Sequence, residues 1–375
     1  MGGINTNKNQ ISRIKIKGFK SIKDADIDLG MLNIFIGPNG AGKSNFISLF
    51  ILLQELIESR LQNYISLQGG PDSILYFSSK ETDYIQINIK FCDNEYGFQL
   101  APTQLEKMMF VDEWFTGDIT ISNLRHTNHT SVGRGQTESL WKRSSMYGVN
   151  SYIQSVFEKH KFRVYHFHDT SNTARLKKLG NLNNNVELAV DAGNLAAFLY
   201  RLKENDISVY TKIVKTIRLV APFFNDFVLL PDRINQEMIR LEWKNFNSDV
   251  IFNAFQLSDG TLRFICLATL LLQPYYLSSD TMIIDEPELG LHPYAIKLLA
   301  SMIKSVSLEK QIIISTQSVE LLNEFDVENI IIADRKNNAS VFNRLSEDDL
   351  RVWLEEDYSL GELWQKNLLG GRPSV

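Results

Sequence analysis

Eight consecutive residues, Gly37-Pro-Asn-Gly-Ala-Gly-Lys-Ser44, carry the strongest chemical signal in the chain. Glycines at this spacing let successive backbone N–H groups curl around a phosphate. Lys43 adds a point charge for the outer phosphates of a nucleoside triphosphate, and the Ser44 hydroxyl is placed as a Mg²⁺ ligand. The neighbours supply the required context. Leu32 to Ile36 is a short apolar run that reads as a buried strand. After the loop, Phe46, Leu49, Phe50, Leu53, Leu56 and Ile57 recur at helical spacing. A helix starting at the loop adds its partial positive charge to the phosphate site. The expected nucleotide-binding set is Gly37, Asn39, Gly40, Gly42, Lys43, Ser44 and Asn45.

A second cluster lies far downstream. Asp285 and Glu286 close the apolar run Thr281 to Ile284. A carboxylate at the end of a strand beside a phosphate loop is where Mg²⁺ is held, and Asp285 fits that ligand. Glu286 fits a base that polarises an attacking water. Ser258-Asp-Gly-Thr261 precedes another apolar helix, so it offers a hydroxyl and backbone N–H groups at a helix start.

These residues need positioning elements. Ile11 to Phe19 alternates, with Ile14 and Ile16 on one face, and Asp24 to Leu29 alternates again and is expected to pair with it. Tyr84 to Phe91 reads as a strand, Asn194 to Leu202 and Val209 to Val220 as helices. Residues 122–150, rich in Ser, Thr, Asn, Gly, His and Arg, read as a mobile surface loop. From Ala254 onward helices and strands alternate: a helix to about Gln273, a strand Thr281 to Ile284, a helix Ala295 to Val306, and strands Gln311 to Ile314 and Ile330 to Ile332. This alternation implies a largely parallel sheet.

The segments GPNGAGKSN, LSDGTLR, MIIDEPELGLHP and IIISTQS, in that order, resemble the ABC-type ATPases of the SMC/RecF class, and IKGFKSIKDADIDLG is similar to the opening of that class. The resemblance implies an α/β fold: an ABC-type P-loop NTPase core, a mostly parallel sheet with an antiparallel N-terminal β part, an inserted α+β or helical subdomain, and no long coiled coil. The implied division is 1–68 for the first half of the core, 69–253 for the insertion, 254–335 for the second half and 336–375 for a C-terminal extension. It implies ATP and Mg²⁺ as ligands and an ATP-dependent homodimer or higher oligomer. Ser258 and Gly260 would then meet the nucleotide of a second subunit, and the segment 288–292, with His292, would form the D-loop at the interface. The class usually has His where this chain has Gln317, and Gln orients a water but carries no proton. With Glu286 and Lys43, Gln317 completes the expected catalytic set. The glutamine that follows the first helix in the class has two candidates, Gln68 and Gln86.

A closer resemblance rests on VYHFHDTS, DAGNLAAFLYRL, VAPFFNDF and DYSLGELWQKNLLGGRP. These are similar to bacterial RecF-like, OLD-related ATPases that are encoded beside a toprim-type nuclease in anti-phage defence. The resemblance implies a regulatory ATPase with a separate nuclease partner and a DNA or phage-derived trigger. Only about forty residues follow Ile332, too few for a nuclease domain. Two alternatives stay open: an ATP-gated scaffold with little turnover, and a DNA repair or recombination ATPase.

Other residues give weaker signals. His166 and His168 at i, i+2 read as a pair on one strand face, either structural or the seed of a metal site. Arg125, Arg134, Trp141, Lys142 and Arg143 offer phosphate contacts or a solvated loop. The 375 residues carry 39 basic and 44 acidic side chains, so DNA contact, if made, is local. Two cysteines, Cys92 and Cys266, and a polar N-terminus predict a reducing, cytoplasmic setting without a membrane partner. Cys266 is expected to be a small buried apolar residue.

Overall fold

The computed structural model describes residues 10–91, 94–121, 124–141, 162–346, 348, 350 and 358–368. The chain runs through β1 (Ile11–Phe19), β2 (Ile22–Asp28), β3 (Leu32–Ile36), α1 (Lys43–Ile57), α2 (Leu61–Leu67), β4 (Ile85–Phe91), β5 (Asn94–Pro102), β6 (Met108–Ile121), β7 (Leu124–Gly133) and β8 (Phe162–Tyr165). Next come β9 (Gly180–Asn181), α3 (Leu195–Asn205), α4 (Ile207–Val220), β10 (Phe224–Val228), β11 (Met238–Ile239), β12 (Glu242–Asn245) and β13 (Ile251–Asn253). The last part holds α5 (Asp259–Leu272), β14 (Thr281–Asp285), α6 (Pro293–Val306), β15 (Gln311–Thr316), α7 (Val319–Leu322), β16 (Ile330–Lys336), β17 (Ala339–Arg344) and α8 (Leu360–Gln365).

One sheet has the order β17-β16-β3-β15-β14-β8, and all its pairs are parallel except β16 with β17. Its central strands are apolar on both faces, because helices or a second sheet cover each side. Alternation sorts their side chains. Ile312 and Ile314 join the core formed with α3 to α6, while Ile313 joins the core formed with α1 and the second sheet. That second sheet is antiparallel, in the order β2-β1-β4-β5-β6-β7. The helix that starts at the glycine loop is therefore buried between two sheets. Buried Gln311 links them: its amide N–H groups donate to Ile11 O and Gly30 O (both 2.8 Å), and its Oε1 accepts from Ile11 N–H and Thr281 Oγ1 (3.2 and 3.1 Å).

The α/β architecture expected from the sequence is the one observed, and among the described residues no helix exceeds the 15 residues of α1. Among the described residues no helix is long and apolar enough to cross a membrane. One expectation is corrected. Residues 124–133 lie in the expected loop 122–150 but form β7, paired along β6. Polar side chains suit an edge strand, where they discourage pairing with other chains, so composition alone hid it. The region 69–253 is shared among several layers: β4 to β7 extend the antiparallel sheet, β8 is the edge of the parallel one, and β10, β12 and β13 make a small sheet of their own. Helix α8 docks on the segment after α7, where Gly361 N–H donates to Asn323 Oδ1 (2.6 Å) and Leu363 and Trp364 are buried.

Candidate nucleotide site

The parallel register fixes the site. Ser315 pairs with Asp285 on one side and Phe35 on the other, so β3, β14 and β15 end at one level. The carboxyl ends of neighbouring parallel strands are where α/β sheets leave a crevice for ligands. From β3 the chain enters the glycine loop, from β14 it reaches Asp285 and Glu286, and from β15 it reaches Gln317.

The loop is shaped for something other than side chains. A Cβ on Gly37 would run into the Ala333 carbonyl, whereas Gly40, at φ 81°, faces open space with nothing within 4 Å. Gly42 begins α1 at φ 109°, a conformation that favours glycine, and no side chain caps the helix. Lys43 is buried, and its Nζ donates to Gly37 O (2.5 Å) and Pro38 O (3.2 Å). Burial pulls its ammonium below the ordinary range, and Glu286, Asp285 and Glu288 pull it back. Ser44 and Asn39 are exposed. Asn45 Nδ2 donates to Ser21 Oγ (2.6 Å), which shares a hydrogen bond with Ser340 Oγ (2.6 Å).

Opposite the loop, the Asp285 carboxylate accepts from the Ser315 hydroxyl, and its backbone carbonyl accepts from His168 Nε2 (3.0 Å). Glu286 has φ 42°, uncommon for a residue with a side chain, and its N–H donates to Ser315 O (2.9 Å). Its Oε1 accepts from Gln317 Nε2 (2.5 Å). The two expected catalytic side chains thus meet directly.

The remaining expected residues fall at helix starts. Ser258 caps α5, its Oγ accepting from Thr261 N–H (3.2 Å). Gly260 lies against Gly290, whose carbonyl a Cβ would approach to 2.5 Å. His292 caps α6, Nδ1 accepting from Tyr294 N–H (3.3 Å). Arg263 ties these parts together, donating to Leu289 O (2.8 Å) and His168 O (2.9 Å). Gln68 accepts from Lys20 Nζ (3.4 Å), and Gln86 lies in β4 with its amide donating to Asn88 (3.2 Å).

The weaker candidates resolve differently. His166 and His168 lie beyond the end of β8, not on a strand face, and among the described residues no three or more His, Cys, Asp or Glu side chains cluster around them or elsewhere as an all-protein metal cage. His168 instead holds the strand end, its Nε2 donating to Asp285 O (3.0 Å). Arg134 is paired with Asp112 (3.0 Å), and Trp141 is buried with Nε1 donating to Ile57 O (3.0 Å). Neither forms a free basic or stacking patch. Lys142, Arg143, Cys92 and the Arg125 side chain lie outside the described residues. Cys266 is fully buried, and burial pushes its thiol up to about 12.

Sequence reasoning missed a cleft of about 410 Å³ beside the start of α1, lined by Lys20, Ser21, Asn45, Tyr76, Phe77 and Arg335. Burial lowers the Lys20 ammonium, and Lys20 and Phe77 both have positive φ (48° and 53°). These residues come from separate segments: Lys20, Ser21 and Asn45 lay in recognised motifs, whereas Tyr76, Phe77 and Arg335 did not.

Comparison with known proteins agrees with this fold. One family model, described as an AAA domain, putative AbiEii toxin, Type IV TA system, matches residues 137–323. A second, described as an AAA ATPase domain, matches residues 10–222, more than half of the chain. No curated protein matches. Among solved structures, the Smc head bound to the C-winged helix domain of ScpA superposes with TM-score 0.59 at 16% identity, covering 91% of this chain and 99% of that one. The Smc head with an extended coiled coil bound to the C-terminal domain of ScpA, from Pyrococcus furiosus, gives 0.57 at 16% identity, covering 92% and 99%. With its glycine loop inside the matched 10–222 region and a fold similar to that of an Smc head, the chain belongs to the AAA ATPase domain family.

Proposed function

We propose that the chain binds and hydrolyses Mg²⁺–ATP at a site completed by a second copy of itself. The observation that carries this reading is Lys43. A buried ammonium whose Nζ bonds go to the Gly37 and Pro38 carbonyls, among three carboxylates, is a cation held ready for an anionic ligand. Backbone N–H groups from Gly37 to Ser44 wrap the phosphates, with Asn39 and Asn45 at the rim of the loop. The open space at Gly40 fits that use. Ser44 and Asp285 would hold Mg²⁺, which supplies charge neutralisation of the outer phosphate oxygens. The cleft at Lys20 to Arg335 takes the nucleoside; its size is in the range of ligand sites.

Glu286 accepts a proton from the attacking water. Gln317, fixed on Glu286 Oε1, orients that water beside the outer phosphate. Ser258 and Gly260, with the His292 segment, meet the nucleotide of the second copy, so ATP joins two chains and hydrolysis releases them. The OLD-related resemblance, and the toxin–antitoxin description of one matching family model, support a setting in anti-phage defence. There the ATPase controls a separate toprim-like nuclease and responds to DNA or a phage-derived trigger.

Phosphate release and light scattering test the core of this. Lys43→Ala should weaken ATP binding by roughly tenfold to a hundredfold, since hydrogen bonds to charged groups are worth about 1.5–3 kcal/mol. Glu286→Gln should lower turnover by about 100-fold or more and hold the chain as an ATP-bound dimer. Normal turnover in Glu286→Gln sinks the assignment.

Gln317 favours a second reading, an ATP-gated scaffold that restrains an effector with little turnover, because an amide cannot take up a proton. Phosphate release no faster than the Glu286→Gln control supports the scaffold. Salt-sensitive, ATP-dependent DNA binding by the isolated chain supports a repair-type clamp instead.

A further inference from the structure

The reaction proposed above uses two carboxylates at the end of β14, yet a third follows. Asp285 and Glu286 are half-buried, whereas Glu288 is only 9% exposed. Its Oε1 accepts from the Thr316 hydroxyl (2.5 Å) and from Gln317 N–H (3.4 Å), and its Oε2 is buried with no hydrogen-bond partner. Burial pushes this carboxyl up, and the bonds from Thr316 and Gln317 restrain the shift. A packing position would be filled at less cost by an apolar residue of similar volume.

What Glu288 holds explains its presence. Thr316 is the last residue of β15 and is fully buried. Its Oγ1 also accepts from Ser318 N–H (2.9 Å), and Ser318 caps α7. Glu288 therefore grips the 316–318 turn through a hydroxyl and a backbone amide. The residue at the centre of that turn is Gln317, whose side chain lies on Glu286.

We propose that Glu288 is a positioning residue: it fixes the 316–318 turn so that the Gln317 amide stays on one oxygen of Glu286 and leaves the other for water. This rests on the reading of Glu286 as the base. Glu288 acts through Thr316 and the Gln317 backbone, not on the reacting atoms. The segment 288–292 thus acts inward, within its own subunit, in addition to any contact across a dimer.

The test compares Glu288→Ala, Glu288→Gln and both in a Gln317→Ala background. It follows phosphate release, binding of a fluorescent ATP analogue, and hydrogen exchange of residues 315–318. Glu288→Ala should lower kcat by roughly tenfold while nucleotide Kd changes by less than about twofold. Glu288→Gln should keep most of kcat, because an amide oxygen accepts the same two bonds. In the Gln317→Ala background Glu288→Ala should lower kcat by less than about twofold, since the two residues act as one unit. Exchange at 315–318 should quicken roughly tenfold in Glu288→Ala. Should Glu288→Ala not fold, Glu288→Met, similar in volume and without an oxygen acceptor, replaces it. Equal losses in the Ala and Gln variants, or fully additive losses with Gln317→Ala, overturn the proposal. If the unsubstituted chain releases no phosphate beyond its Glu286→Gln control, the hydrolysis reading fails. Exchange alone then decides, and unchanged protection of 315–318 overturns the role of Glu288.

Discussion

Glu113 and Glu288 are both carboxylates deep inside the molecule, and burial raises both. Their surroundings differ. Glu113, on β6 of the antiparallel sheet, accepts from Tyr96 OH (2.9 Å), Gln136 Nε2 (3.1 Å), Leu140 N–H (3.0 Å) and the Ser139 hydroxyl, so both oxygens are engaged. Glu288, beside the strand ends of the parallel sheet, uses one oxygen and leaves the other without a partner. The first is a clamp. It folds the 134–141 segment back over the sheet, where Glu138 accepts from Leu61 and Gln62 N–H (both 2.9 Å) at the start of α2. The second is an incompletely satisfied group whose charge acts on buried Lys43. A buried carboxyl with both oxygens bonded acts as a clamp within the sheet, whereas the half-bonded one, near Glu286 with its uncommon φ, grips the turn that carries Gln317.

Substitutions can break or sharpen this contrast. The largest effect should come from Glu113→Ala, which strands several buried donors. It should lower unfolding free energy by about 3–5 kcal/mol in urea titrations, with nucleotide affinity of the folded protein unchanged. A fall in affinity would show that the clamp reaches the site through α2. Gly37→Ala should do both kinds of damage, because its Cβ meets the Ala333 carbonyl. We expect about 1–3 kcal/mol of stability and most nucleotide binding to be lost, read by thermal unfolding with and without ATP. Ser258→Ala removes a helix cap and should cost about 1 kcal/mol in the isolated chain. A disproportionate loss of ATP-induced association would mark its contact with a second copy.

The smallest effect concerns pH. Glu113 is raised above its ordinary value of 4.5, chiefly by burial. The stability it contributes is therefore complete below about pH 4.5 and is lost as pH rises through the elevated folded value. Glu113→Gln does not titrate there. The stability gap between wild type and Glu113→Gln should narrow as pH rises, and a widening gap would reverse the assignment.

Much of the architecture was legible beforehand. Buried strands, the loop-to-helix step at Gly37 to Ser44 and the helices after Asn194 and Ser258 each announce themselves within ten or so residues, by apolar runs or by period. β7 was not legible, because a polar edge strand has the composition of a loop. The histidine pair misled for a related reason. Two residues past the end of β8 look like one strand face until the strand is seen to stop at Tyr165.

The sequence alone determined the local setting of the loop and of Asp285-Glu286, since those groups are contiguous and their neighbours dictate a strand before and, for the loop, a helix after. Only the tertiary structure decided which polar groups are satisfied. Gln317 reaches Glu286 across 31 positions, Glu288 reaches Thr316 across 28, and Gln311 joins Ile11 across 300. Hydrogen bonds act over about 3 Å in space and carry no memory of distance along the chain. Whether a buried carboxylate is a clamp or a poised group therefore emerges only when the strands are aligned.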